Sequence, residues 1–168
     1  MNRAVPPLVP TMNRNTALLL QASVVCIGFV SLAIMLWEPH IEGRNAHAST
    51  YEIYFKDPFL AYVYLGSIPY YLALYRTFRL FGDLRRNGGA SQATLDALLG
   101  IKNCAYVLIG FVLGGTVIIL VFGDREDRPP GIAMSLLALV ASSAIAFAAS
   151  VSARKLKGVL SEATGDRI

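Results

Sequence analysis

Four times the chain runs without a charged side chain for close to the length of a membrane crossing: Asn15 to Trp37, Pro58 to Tyr75, Asn103 to Gly123 and Pro129 to Ala153. Crossing a hydrocarbon core of about 30 Å at 1.5 Å per residue takes about 20 residues. Within that core a segment must satisfy its own backbone N–H and C=O groups, and continuous apolar runs of this length do so as helices. Only 15% of the 168 residues are charged, against about 25% in a soluble domain. The expected fold is therefore all-α: a polytopic membrane protein built as an antiparallel bundle of four transmembrane helices. The spans are expected over about 16–37, 58–81, 102–123 and 131–153, leaving nothing long enough for a separate soluble domain.

The stretch from Phe59 to Phe81, FLAYVYLGSIPYYLALYRTFRLF, orients the rest. It reads as a span whose charge-free part ends at Tyr75, after which Arg76 and Arg79 meet anionic headgroups on the cytoplasmic side. With that end inside, eleven of the fifteen basic residues fall on the N-tail, the middle connection and the C-tail, and four on the two external connections. Basic residues concentrate on the cytoplasmic side of membrane proteins, so both termini are expected in the cytoplasm. The net charge of +4 is spread over these connections without a continuous basic face, which argues against nucleic acid as a partner.

The first span ends on Trp37 at interface depth and is stopped by Glu38-Pro39. A cleavable leader is the competing reading, because Ala46-His47-Ala48 has the small-x-small form of a cleavage site. The apolar run exceeds a leader's h-region and ends well before that site, which favours a retained span. In the second span Pro69 deprives one carbonyl of its partner and is expected to kink the helix, with Ser67 available to the freed carbonyl. Tyr64, Tyr71 and Tyr75 succeed one another at spacings of seven and four and are candidates to line a cavity beside that kink, against the plainer role of packing and interface anchoring.

Between the second and third spans, Asn87-Gly88-Gly89 is a break and Ser91 a helix N-cap. The segment after Ser91 is either an amphipathic helix on the inner leaflet or an extension of the third span, with Lys102 reaching headgroups in both cases. Gly110 and Gly114, four apart, put a shallow groove on the third span. Ala138, Ser142, Ala146 and Ser150 make a ridge of small residues on the fourth, and the two spans are expected to pack through these features.

Chemistry is sparse. The spans hold no carboxylate, histidine or basic group of the kind that marks ion-coupled transport, and no serine has a base at its own depth. Neither a zinc-protease motif nor a phosphate-binding glycine loop is present, so no enzyme and no cofactor is expected. His40, Glu42 and His47 form a cluster in the first external loop, a weak candidate for metal whose spacing matches no established site. Cys26 and Cys104 lie at different depths and read as small apolar packing residues.

Three segments carry a family resemblance: PYYLALYRTFRLF from Pro69, SQATLDALLGIKNCAYVLIG from Ser91, and RPPGIAMSLLALVASSAIAFAASVSARKL from Arg128. In order and spacing they resemble the bacterial membrane family known as domain of unknown function 2975, over about Leu18 to Leu160. The sequence departs from the family at Gly88-Gly89-Ala90, where members often place an aromatic residue before the serine. The resemblance implies a four-span inner-membrane protein and supplies no catalytic or binding residue. Members are often encoded beside a small helix-turn-helix repressor, which implies a regulatory pairing. The leading expectation is a non-enzymatic protein acting through lipid or protein contacts, with a cytoplasmic regulatory partner at the basic face of Arg76, Arg79, Arg85 and Arg86. The alternative is a small transporter or channel component, a homo-oligomer binding an apolar or metal-containing solute.

Overall fold

The computed structural model describes residues 13–37, 49, 51, 58–87, 91–126 and 128–165. These contain four long helices: α1 (Arg14–Trp37), α2 (Pro58–Asn87), α3 (Gln92–Phe122) and α4 (Arg128–Gly165). Three of them, α1, α3 and α4, are long and apolar enough to cross a membrane. Five tyrosines, Pro69 and a basic end dilute the apolarity of α2, which is not among the three.

Each boundary has a local cause. The Asn13 side chain accepts from the Asn15 amide at 3.4 Å and the Asn13 carbonyl from the Ala17 amide at 3.0 Å, so α1 opens on an asparagine cap. Ser91 caps α3 from extended backbone (φ −136°, ψ 155°), its hydroxyl accepting from the Thr94 amide at 3.2 Å. The helix it starts continues unbroken to Phe122, which decides between the two readings of this segment in favour of the extension. At the far end the Gly123 amide donates to the Ile119 carbonyl at 2.9 Å, and Arg128 Nε donates to the Gly123 carbonyl at 2.9 Å, closing the turn into α4. Pro129 and Pro130 sit inside the first turn of α4, where a missing N–H forfeits no intrahelical bond.

Helices adjacent in sequence are adjacent in space: α1 packs on α2, α2 on α3 and α3 on α4, and α1 and α4 share no comparable seam among the described residues. On the first seam Gln21 Nε2 donates to the Phe78 carbonyl at 3.1 Å, a Cβ on Gly28 would lie 3.7 Å from Leu74, and the Tyr64 hydroxyl donates to the Met35 carbonyl at 3.2 Å. On the second, Tyr62 meets Phe111 and Gly114 while Arg76 meets Gly100. On the third, Gly131 meets Ile119, and Ala149 joins a cluster with Ala97 and Ile101.

Burial is uneven. In α1 only Ala17 is buried, and Leu19, Phe29, Val30, Ile34 and Trp37 are 58–70% exposed. Apolar faces of this extent have no place in water, where the largest patch on a monomer is about 300–600 Å². They belong against lipid. The packed core lies instead at the basic end, where Leu80, Ala97, Ile101 and Ala149 form one cluster and Leu95, Ala153 and Leu156 a second. Leu98 packs against both.

Candidate functional site

Pro69 is buried, and α2 runs through it without interruption. A proline at 69 deprives the Leu65 carbonyl, four residues back, of its partner. Ser67 serves a different one, donating to the Tyr64 carbonyl at 2.7 Å, which corrects the expectation that it repairs the freed position.

The tyrosines do not gather round a common cavity. Tyr64 bonds the α1 backbone, and the Tyr71 hydroxyl lies 3.5 Å from Ser31 Oγ, also on α1. Tyr75, one further helical step along, is 58% exposed and outside that seam. Tyr62 faces α3, donating to the Phe111 carbonyl at 2.7 Å with its ring 5.4 Å from that of Phe111. The tyrosine hydroxyls of α2 thus tie it to a helix on either side.

The glycine groove is also used differently from the expectation. A Cβ on Gly114 would collide with the Tyr62 hydroxyl, so Gly114 makes room for α2. A Cβ on Gly110 would meet nothing within 4 Å, so Gly110 lines no close contact. The pairing of Gly110 and Gly114 with the α4 ridge is therefore corrected. On the ridge itself Ser142 and Ala146 are each 3% exposed, Ala138 and Ser150 are half-buried, and the buried line continues through Ala149, Ala153 and Leu156.

The basic residues divide. The Arg76 side chain lies across Gly100 of α3, a glycine that sequence reasoning passed over and whose place any larger residue would contest. Arg79 and Arg86 are exposed and Arg85 half-buried at the end of α2. His40, Glu42 and His47, together with the Ala46–Ala48 cleavage motif, lie outside the described residues. Among the described residues no group of three histidine, cysteine or acidic side chains could hold a metal ion. Cys26 and Cys104 are both free.

A groove of about 750 Å³ lies between α3 and α4 at the basic end. Lys102, Arg154 and Lys157 line one part of it, and Tyr106, Ile109 and Phe147 the other. Ala146 and Ala153 form its floor, so the groove exists because α4 has small residues there. The sequence carried the signal as three basic residues flanking two apolar runs, a pattern that topology alone also explains.

Long apolar helices with exposed hydrophobic faces and a basic, cored end define a helical integral membrane protein. The chain belongs to the family "Protein of unknown function (DUF2975)", whose model matches residues 43–166. It is also 31% identical over 147 residues to the "Uncharacterized membrane protein YoaS" of Bacillus subtilis (strain 168), covering 87% of this chain and 92% of the relative. No solved structure matches it.

Proposed function

We propose that the protein is a non-enzymatic inner-membrane protein of four antiparallel spans, with both termini cytoplasmic, that works as a docking platform for a cytoplasmic regulatory partner. The observation that carries this reading is the leucine- and alanine-lined core at the basic end. A connection serving only to return the chain needs no such core. Here the ends of α2, α3 and α4 are packed into one unit that carries Arg76, Arg79, Arg85, Arg86, Lys102, Arg154, Lys155 and Lys157, a rigid cationic surface suited to an acidic protein face.

The fourth span is α2, at 30 residues long enough to cross with turns to spare. The hydroxyls of Tyr62 and Tyr64 bond α3 and α1 and that of Tyr71 meets Ser31, so the polarity of these three is spent between helices. The antiparallel order is supported by contact pairs that run in opposite senses: Gln21 with Phe78 and Met35 with Tyr64; Gly114 with Tyr62 and Gly100 with Arg76; Ile119 with Gly131 and Ala97 with Ala149.

Two-sided cysteine labelling tests the topology. In a background without Cys26 and Cys104, a cysteine at Ser161 is expected to react only from the cytoplasm and one at Arg125 only from outside; the reverse pattern sinks the orientation. The platform is tested by crosslinking in native membranes and purification in mild detergent. A specific soluble regulator recovered with the wild type and lost from Arg85→Glu/Arg86→Glu supports it, and recovery of the protein without one refutes a stable complex.

A further inference from the structure

We infer that the groove between α3 and α4 is a binding site for one anionic phospholipid, the headgroup held by Lys102, Arg154 and Lys157 and an acyl chain lying along Tyr106, Ile109 and Phe147. The site rests on the reading of α3 and α4 as spans, which the two-sided labelling tests without any lipid readout.

Depth is the first argument. The uncharged run of α3 begins at Asn103, directly after Lys102, and that of α4 ends at Ala153, directly before Arg154. Both cations therefore stand at the boundary between hydrocarbon and headgroups, and Lys157 lies one turn further out. Along α3 the groove extends from Gln92 to Ile109, about 25 Å at 1.5 Å per residue, so it starts outside the uncharged run and ends at apolar depth. Its two ends differ in chemistry as the two ends of a phospholipid do.

Charge is the second. Among the described residues no carboxylate lines the groove. The nearest acidic group along α3, Asp96, accepts instead from Gln92 Nε2 at 3.1 Å. Three cations within one helical turn of the same boundary favour an anion, and a phosphodiester offers charged oxygens for charge-assisted bonds without bringing a compensating ammonium. A zwitterionic lipid would bring one.

Shape is the third. Ala146 and Ala153 are 3–4% exposed at the floor, whereas Phe147 and Tyr106 are 70% and 56% exposed beside it. Small residues beneath and exposed aromatic rings at the side make a groove with an apolar wall on its lipid side. A second copy of the protein is the poorer occupant. Docked groove to groove about a two-fold axis along the membrane normal, it would set Lys102, Arg154 and Lys157 against the same three cations.

The experiment is native mass spectrometry of the full-length protein in mild detergent with added phosphatidylglycerol or phosphatidylcholine. The wild type is expected to hold one phosphatidylglycerol in preference to phosphatidylcholine. Lys102→Gln/Arg154→Gln/Lys157→Gln should weaken that retention roughly a hundredfold, about fivefold per cation. Arg85→Gln/Arg86→Gln should leave it within about twofold, being charges outside the groove. Ser143→Phe, an exposed lining position at the apolar end, keeps every charge and should still expel the chain. Circular dichroism checks each variant for helix content, and if the triple variant does not fold, loss of wild-type retention on raising salt replaces it. Equal retention of the two lipids, equal loss in Arg85→Gln/Arg86→Gln, or indifference to Ser143→Phe overturns the site. So does displacement by millimolar inorganic phosphate, which would make it an anion site, or a wild-type dimer that the triple variant abolishes.

Discussion

The basic end and the apolar lengths of the same helices are packed by different rules. Where α2, α3 and α4 run past the uncharged stretches, Leu80, Leu95, Ile101 and Leu156 are buried to below a tenth of their surface. Where α3 and α4 are uncharged, Leu113, Val117, Leu120, Leu136 and Leu137 are about half exposed or more. The difference stems from the solvent. In water, burying a leucine is worth about 1.5–3 kcal/mol. In lipid the surroundings are as apolar as leucine itself, and helices are held by close contact and hydrogen bonds instead. The apolar seams accordingly use Gly114 beneath Tyr62, Gly131 beside Ile119 and the tyrosine-to-carbonyl bonds, while the basic end uses leucines.

Leu95→Ala or Leu156→Ala attacks the comparison where it is strongest. Each opens a cavity in the basic-end core and should lower stability by about 2–5 kcal/mol. Leu113→Ala, at an exposed site on the apolar length, should change it by no more than about 0.5 kcal/mol. Unfolding in mild detergent, followed by circular dichroism, measures both. Equal losses would mean that the two regions are not packed by different rules.

The glycines give a smaller, sharper contrast within α3. Gly114→Val must displace the Tyr62 hydroxyl and with it the bond to Phe111, by overpacking that costs about 1–3 kcal/mol, while Gly100→Val meets the flexible end of the exposed Arg76 side chain, which can swing aside, and should cost less. Gly110→Ala meets nothing and replaces a poor helix former with the best, a gain of up to about 1 kcal/mol. The same unfolding assay should rank Gly110→Ala above the wild type and both valines below it.

These contrasts mark how far the sequence could be read. Helix existence was legible, since apolar runs of that length have one satisfactory backbone conformation in lipid, and the Ser91 cap was legible because its hydroxyl has one obvious use before a helical pattern. Which neighbour each face meets was not. Ala138, Ser142, Ala146 and Ser150 were grouped by steps of four, but four residues turn a helix by about 400°, so the line drifts about 40° at each step. The buried line is Ser142, Ala146, Ala149, Ala153 and Leu156, alternating four and three, which holds to one face. Tyr75 stands only about 20° from Tyr64 around α2, yet Tyr64 and Tyr71 meet α1 while Tyr75 is 58% exposed, so a shared face did not give a shared partner. Gly110 and Gly114 share a face by spacing, yet only Gly114 has a ring to receive, and that ring comes from α2. Periodicity identifies a face without identifying its partner.

Ser91→Ala should cost about 1 kcal/mol, the ordinary value of a serine cap, because it leaves the Thr94 amide without the side-chain oxygen that now accepts from it. The effect is bounded by the position of the cap at the basic end, where water can take over part of its work. Tyr62→Phe is smaller still. It removes the hydroxyl that donates to the Phe111 carbonyl and keeps the ring against Phe111, so only one interhelical bond is lost. Such bonds average about 0.6 kcal/mol between membrane helices, since the separated helices also find partners for the freed groups. The bond at 2.7 Å sits above Gly114, and its loss leaves a gap of one oxygen that Gly114→Ala can fill. Tyr62→Phe with Gly114→Ala should therefore be less harmful than the sum of the two, a coupling that unfolding of all four proteins in the same detergent would read out. Strict additivity would separate the ring from the glycine and leave the apolar seam between α2 and α3 to dispersion alone.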